Sequence, residues 1–476
     1  MGLGLTELIS QTGFGDWSAV ADDSNARGGM ARGAAARGAA APLAGGLGPR
    51  QSLLVGVTLF SMFFGAGNLI LPPLLGLQAG VDAVPAMVGF LVAGIGLPVL
   101  GIIAVALSGT IRQLADRVHP LFSTIFVAAV YLAIGPCLAI PRTSSTSFEM
   151  LAPLLPQGAD VATIQVAFSV VFFVVAYLMA LHPGQLTRLL GKLTGPALVA
   201  LIVVVTVSSI VAPAGGATTA QAPYNDAPLA EGFLTGYQTM DLLASLTFGI
   251  VIAQNIRGLG VTDDAGLMRE ISKAGVFMAV LMGLIYCGFA YVGVTMGSVM
   301  PDATNGAEIL TASATAHFGL AGTVVVALIF LLACLNVCIG LISCCGTYFA
   351  EQLHAPYRWV ALAFAAFSGV VSNFGLDAIL AFSVPLLSAL YPMAIVLVAM
   401  GLAHRALEGR GAVWPCVVVL TGIVSVCEAV RSAVAPDAWL PTDVLPLAGF
   451  GLAWVIPAVV GLVLGLVVSR VRAGRE

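Results

Sequence analysis

The sequence predicts an all-α polytopic membrane protein with 12 transmembrane helices. Three observations lead there. The chain is 59% hydrophobic and only 9% charged, whereas a soluble domain carries about 25% charged residues. A surface that apolar has no fitting solvent but lipid, and the mean hydropathy of +1.02 agrees. Apolar stretches of bilayer length, about 20 residues, recur twelve times along the chain. The basic residues, finally, alternate with those stretches as the orientation of membrane helices requires.

Taken in order, residues 1–25 hold Glu7, Asp16, Asp22 and Asp23 and no continuous apolar core, so they do not read as a cleavable signal peptide. Residues 26–48 are rich in Gly and Ala, and 1–48 reads as a disordered cytoplasmic tail. The spans follow at 51–79, 84–108, 121–149, 161–181, 188–212, 233–256, 274–298, 319–349, 357–374, 378–401, 412–430 and 445–469. The first and the eighth are long enough to be tilted or broken. With the N-terminus inside, the inner segments carry all the Lys and Arg except Arg142, which lies within a span, and Arg431, which lies outside. The long outer loops 213–232 and 299–318 carry Asp226, Glu231, Asp302 and Glu308 but no basic residue. A miscounted helix would scramble this alternation. The expectation is a multi-pass protein of the cell (inner or plasma) membrane, in contact with the lipid bilayer, with both termini cytoplasmic.

Composition also excludes. A net charge of -4 leaves no basic footprint for nucleic acid. All eight cysteines fall in apolar runs. Cys334 and Cys338, one helical turn apart, suit buried small hydrophobes better than a metal pair, and no disulfide is inferred. No H-E-x-x-H, no G-x-S-x-G and no paired membrane aspartates appear, which argues against an intramembrane enzyme and against a bound cofactor. A channel needs a pore-lining filter, whereas a twelve-span chain with an interrupted helix suits a carrier.

That interruption is the most informative stretch. Ser61-Met62-Phe63-Phe64-Gly65-Ala66-Gly67-Asn68 runs on to Pro72-Pro73 in mid-span. Glycine weakens a helix by about 1 kcal/mol and proline by about 3. Irregular backbone at membrane depth survives only where it lines a cavity or is buried in protein. One reading is a discontinuous helix whose first half ends near Phe64 and whose second begins near Asn68. Its opening N–H groups then face an anion and its closing carbonyls a cation. The other is a kinked helix whose glycines permit close packing.

Gly65 through Gly80 resembles the signature of the branched-chain amino acid:cation symporter (LIVCS) family, within the amino acid-polyamine-organocation superfamily. Pro141-Arg142-Thr143 through Ser147-Phe148-Glu149, Gly236 through Asp241 with Phe248-Gly249-Ile250-Val251, and Ser383-Val384-Pro385 with Tyr391-Pro392 resemble it too, in the same order. The resemblance implies a carrier of leucine, isoleucine and valine. It implies a LeuT-type fold of two inverted repeats, spans 1–5 over residues 49–212 and spans 6–10 over 213–403, with 404–476 holding two peripheral spans and a cytoplasmic C-terminus. Substrate and cation would lie between broken spans 1 and 6. Ser61-x-x-Phe64-Gly65 recurs as Ser245-x-x-Phe248-Gly249, which places the break of span 6 near Thr247 and Phe248, although no Gly or Pro lies between Asp241 and Gly249.

On that pattern Gly65, Ala66, Gly67, Asn68, Ser245, Thr247 and Phe248 are the candidate substrate-binding residues. Ala66 and Gly67 offer amides to a carboxylate, and Phe248 packs on the branched side chain or simply in the core. Ser61 and Phe64 offer carbonyls to a cation. Asn336 takes the place where the pattern has a hydroxyl residue, and either supplies an oxygen or bonds a neighbouring helix. Asn68 either coordinates a second cation or holds the broken backbone. Arg142, the only basic residue within a span, has Glu149 on the same helix face and Asp241 in span 6 as candidate partners, in an extracellular gate or a structural ion pair. Glu428 and Arg431, three apart, read as a surface pair. The five histidines sit at loops or span ends, so the co-transported ion is expected to be Na+, with H+ open. The alternative is a LeuT-type, proton-coupled carrier of another amino acid or small solute.

Overall fold

The computed structural model describes residues 46–156, 158–181, 199–200, 202–435 and 438–473, and among these no strand occurs. Span 1 is two helices, α1 (Pro49–Phe63) and α2 (Ala66–Ala79). Span 2 is α3 (Ala83–Leu91) and α4 (Leu97–Ser108), joined by a widened turn at Val92–Gly96. After the short α5 (Ile111–Asp116), span 3 is α6 (Pro120–Leu132) and α7 (Ala139–Leu151), bent at Gly135-Pro136. Span 4 is α8 (Val161–Leu181), and α9 (Ile202–Val211) is the described part of span 5. Span 6 is again divided, into α10 (Pro228–Tyr237) and α11 (Asp241–Gly258). The rest are α12 (Asp264–Met296), α13 (Gly306–Leu353), α14 (Tyr357–Ser372), α15 (Leu376–Leu402), α16 (Val413–Val434) and α17 (Val455–Ala473).

Length and hydropathy alone find 8 crossings among the described residues, plus the shorter apolar helices Ile202–Val211 and Tyr357–Ser372. The expected count of twelve is not reached among the described residues. Ala66–Ser108 passes as one stretch of 43 residues through parts of spans 1 and 2, and a broken span is two helices too short to qualify. The expected tail lies outside the described residues up to position 45, as do residues 188–198 and 201 of span 5. Helix α13 turns at Gly319, where φ is +60°, a conformation open to glycine; its first arm, 306–318, belongs to the expected outer loop.

The packing has an internal symmetry. Helices α1 and α2 lie against α12, and α11 and α10 lie against α4 and α3. Exchanging the two five-span halves turns the first set into the second. The contacts of α7 with α13 and of α8 with α14 map onto themselves, as inverted repeats require. Glycine makes the close approaches possible. A Cβ on Gly293 would stand 1.9 Å from the Pro73 carbonyl oxygen, and one on Gly76 1.9 Å from that of Ala290. In the related pair the figures are 1.9 Å for Gly89 on Leu229 and 1.8 Å for Gly232 on Ala86. Helices α16 and α17 pack on each other and reach the body through α15. Arg431 pairs with Glu428, and also with Asp443 of the loop that follows, pinning that loop to α16.

The foot of α1 is tied down by Glu270 of α12. Its buried carboxylate accepts from the Leu47 N–H at 3.2 Å, the Ser52 hydroxyl at 2.6 Å and Lys273 at 2.8 Å.

Gly293→Val should force α2 from α12 and destabilise the fold by about 1–3 kcal/mol, as overpacking does. Gly340→Val, where a Cβ meets nothing within 4 Å, should not. Thermal unfolding of the two variants in detergent checks the contrast.

Candidate functional site

The first interruption is Phe64 (φ -76°, ψ 91°) and Gly65 (φ -119°, ψ -169°), both extended. Helix α2 opens at Ala66 with no side-chain cap. The Asn68 N–H returns to the Gly65 carbonyl at 3.2 Å, and no hydrogen bond from the Ala66 or Gly67 N–H is found among the described residues. The break is thus shorter than the stretch Phe64–Asn68 predicts. Pro72 and Pro73 lie inside α2 and do not end it.

The second interruption is not where Thr247 and Phe248 place it. Helix α11 runs unbroken from Asp241 to Gly258, and the helix breaks earlier, over Gln238–Met240. Met240 adopts φ +63°, costly for a residue with a side chain. The physical reason is local. The Thr239 hydroxyl donates to the Gly236 carbonyl at 2.9 Å and accepts the Asp241 N–H at 3.3 Å, replacing helical bonds with side-chain ones. No glycine or proline was needed, which is why composition did not locate it. The Ser-x-x-Phe-Gly repeat therefore marks a break in span 1 and continuous helix in span 6.

The two breaks face each other across a cavity of about 40 Å³. Gly65–Asn68, Thr239–Asp241, Arg142 and Thr143 border it on the polar side; Met62, Phe63, Phe248, Val337 and Leu341 are among its apolar lining. Asn68 bridges the breaks: Nδ2 donates to Asp241 Oδ2 at 2.8 Å and to the Tyr286 hydroxyl at 2.5 Å, and that hydroxyl lies 3.4 Å from the same Oδ2. Arg142, only 3% exposed, donates from Nη1 to the Gln238 carbonyl at 2.6 Å. Its Nη2 lies where a Cβ on Gly67 would be 2.5 Å away. Two further cavities, about 310 and 390 Å³, open on the side of the loops 212–227 and 297–305, and Gln238 borders both. The Arg142–Gln238 bond stands between them and the central cavity.

The other sequence candidates divide. Phe248 lines the cavity, its ring edge-on to Phe63 with centroids 6.0 Å apart. Ser245 does not face it: the hydroxyl donates to the Leu242 carbonyl at 2.6 Å and would lie 2.1 Å from a Cβ on Gly101 of α4. Thr247 donates to the Ala244 carbonyl at 2.9 Å and is absent from the lining. Val337, and not its neighbour Asn336, reaches the break, 3.5 Å from a Cβ on Gly65. Phe64 buries its ring against Phe60, centroids 4.9 Å apart. The Ser61 side chain lies outside what is described. Glu149 is not brought to Arg142. Two helical turns, about 10 Å, separate them, and its charged neighbours are Asp377 and Glu308. Gln238 and Thr239 lie in the stretch Gly236 through Asp241 that carries the resemblance, and Val337 beside Asn336, but none of the three has a site role in the sequence reading, and Tyr286 does not figure in it. A tyrosine hydroxyl in mid-span, which needs a partner when buried, was the one available signal.

A family profile described as "Branched-chain amino acid transport protein" matches residues 49–472. The chain belongs to that family. It is 39% identical over 426 residues to the branched-chain amino acid permease BraB of Bacillus subtilis, covering 88% of this chain and 96% of that one. It is 35% identical over 431 residues to the permease BrnQ of Escherichia coli, covering 90% and 97%. Among solved structures, Mhp1, a nucleobase-cation-symport-1 family transporter with bromovinylhydantoin bound, aligns with a TM-score of 0.57 at 12% identity, over 89% of this chain and 93% of that one. That likeness shows the fold, the LeuT type expected. The protein is a multi-pass membrane transporter of this family and not an enzyme.

Any side chain at position 67 meets the Arg142 guanidinium. Gly67→Leu is therefore expected to abolish uptake while the protein still reaches the membrane, as measured by transport and by membrane-fraction yield. Asn68→Ala removes the bridge between the breaks and leaves Asp241 underpaired. It should cost about 1–3 kcal/mol, as an unsatisfied buried polar group does, read as a lowered unfolding temperature.

Proposed function

We propose that the protein imports leucine, isoleucine and valine across the cell membrane together with Na+, by alternating access, with both termini in the cytoplasm. One observation carries this reading. Two interrupted helices meet around a buried cavity that is polar at one end and apolar at the other, in a chain whose relatives are named branched-chain amino acid permeases. The uncapped start of α2 offers the Ala66 and Gly67 amides to a carboxylate. Met62, Phe63, Phe248 and Val337 offer apolar surface to the side chain. Each buried CH₂ is worth about 0.8 kcal/mol, and a hydrophobic pocket separates neighbours differing by one methylene only about 10–200-fold. One pocket serving all three substrates is what that arithmetic predicts.

A cavity of about 40 Å³ holds a few waters, at about 10–15 Å³ for one, and must widen to admit a branched amino acid. This conformation is closed. In this reading the two roomier cavities bordered by Gln238 are the entry side, and release of the Arg142–Gln238 bond opens the way from them to the centre. For the cation, the carbonyls of Ser61 and Phe64 at the end of α1 supply hard oxygen ligands suited to Na+, while Asn336, which does not reach the break, is left out of this set. A proton-coupled cycle is the second reading, and Asp241 favours it as a buried carboxylate bordering the cavity.

Radiolabelled leucine uptake into proteoliposomes under an imposed Na+ or proton gradient tests both. Accumulation driven by Na+, competed by isoleucine and valine, is expected. If none of the three accumulates or competes under either gradient, the substrate assignment falls. Phe248→Ala should weaken leucine competition by roughly tenfold or more, the equivalent of about 1.5–3 kcal/mol of lost apolar burial.

A further inference from the structure

The charged groups at the polar end of the cavity are incompletely used. Arg142 is 3% exposed and is held by one bond among the described residues, Nη1 to the Gln238 carbonyl. Its Nε is buried without a partner. Its Nη2 makes no hydrogen bond among the described residues and lies over Gly67, at the uncapped start of α2. Nε and Nη2 share one edge of the guanidinium, the edge that takes a carboxylate through two parallel bonds. An arginine buried with that edge empty is an unsatisfied group of the costly kind, and it points into a cavity.

Asp241 is its counterpart on the same cavity and is likewise 3% exposed. Both of its described side-chain bonds, from Asn68 and from Tyr286, land on Oδ2; Oδ1 receives neither. The two residues do not pair directly. No nitrogen of Arg142 comes within 4.0 Å of an Asp241 oxygen. Gln238 holds the one and Asn68 with Tyr286 the other, with Thr239 alongside, so a positive and a negative group border one cavity, and neither the Arg142 Nε–Nη2 edge nor Asp241 Oδ1 takes a hydrogen bond found among the described residues. That is the complement of a zwitterion.

We propose that this pair reads the head group of the transported amino acid: the Nε–Nη2 edge of Arg142 holds the α-carboxylate beside the Ala66 and Gly67 amides, and Oδ1 of Asp241 holds the α-ammonium. The proposal rests on the amino acid transport reading above and gives Arg142 and Asp241 a recognition role where that reading gives them gating and coupling. It explains why Gly67 has no room for a side chain: the carboxylate must reach the helix start and the guanidinium together. It also implies that removing either charge from the ligand forfeits binding, since the matching protein charge is left buried and unpaired.

The test is competition against radiolabelled leucine in proteoliposomes, using leucine, leucine amide (no carboxylate) and 4-methylpentanoate (no ammonium). In the unmodified protein both analogues should compete at least about tenfold more weakly than leucine, the scale of a lost charge-assisted hydrogen bond. Asp241→Asn should weaken leucine and leucine amide but not 4-methylpentanoate. Arg142→Gln should weaken leucine and 4-methylpentanoate but not leucine amide, with Arg142→Lys partly restoring leucine. If both variants fold and lose all three ligands alike, the pair is structural and the proposal is overturned. If either variant fails to fold, a structure of the unmodified protein with leucine decides. A carboxylate within hydrogen-bond distance of Arg142 Nε and Nη2, and an ammonium on Asp241, support the proposal; a head group turned elsewhere overturns it. Absence of leucine binding to the unmodified protein would instead overturn the substrate reading.

Discussion

A backbone that leaves its helical ladder inside a membrane must find other partners for its amides and carbonyls, because lipid offers none. Here that happens twice, at Phe64–Gly65 and at Gln238–Met240, and the centre of the protein is organised by the need to satisfy both. The breaks are placed against each other and bridged. Asn68, in the first turn of α2, reaches Asp241, the first residue of α11. Arg142 from span 3 caps the carbonyl of Gln238. Thr239 supplies its own hydroxyl to the bonds the helix lost. The start of α2 and one edge of Arg142 take no partner among the described residues and border the cavity, and Gln238 Oε1 in the second break is buried without one as well.

Bringing two broken helices face to face demands that the halves α2 and α10 be held very closely by something else. The glycine contacts do this. Gly76 and Gly293 set α2 on α12, and Gly89 with Gly232 set α3 on α10, each leaving no room for a methyl group. The two contacts are related by the exchange of the halves, so each break is supported in the same way by the second helix of the opposite repeat. At the other end of α1 the support is polar. Glu270 gathers the Leu47 amide, Ser52 and Lys273, hydrogen bonds in place of interlocked glycines. The small central cavity, the two roomier cavities bordered by Gln238 and the tied foot of α1 together describe a carrier closed around its centre.

Much of this was legible in the chain. Charge at 9% beside 59% apolar residues forces a membrane protein, because the balance of solvent transfer is additive over residues and needs no geometry. The break in span 1 was legible because Gly65-Ala66-Gly67-Asn68 weakens a helix through its own backbone, whatever surrounds it. Arg142 was legible because an isolated charge in an apolar run stands out against the cost of placing it there.

What only the tertiary structure decided is of another kind. The break in span 6 lies at Thr239 and Met240, residues that tolerate a helix, and it exists because of side-chain bonds and an opposing helix that sequence does not display. Ser245 and Phe248 lie three apart on one helix, yet one packs on Gly101 and the other faces the cavity. The partner of Arg142 is a backbone carbonyl 96 residues away and not Glu149, its neighbour on the same face. Local chemistry sets which helices are weak and which groups are costly to bury, since those quantities belong to single residues. Which groups meet is a property of packing between distant segments, and that required the fold.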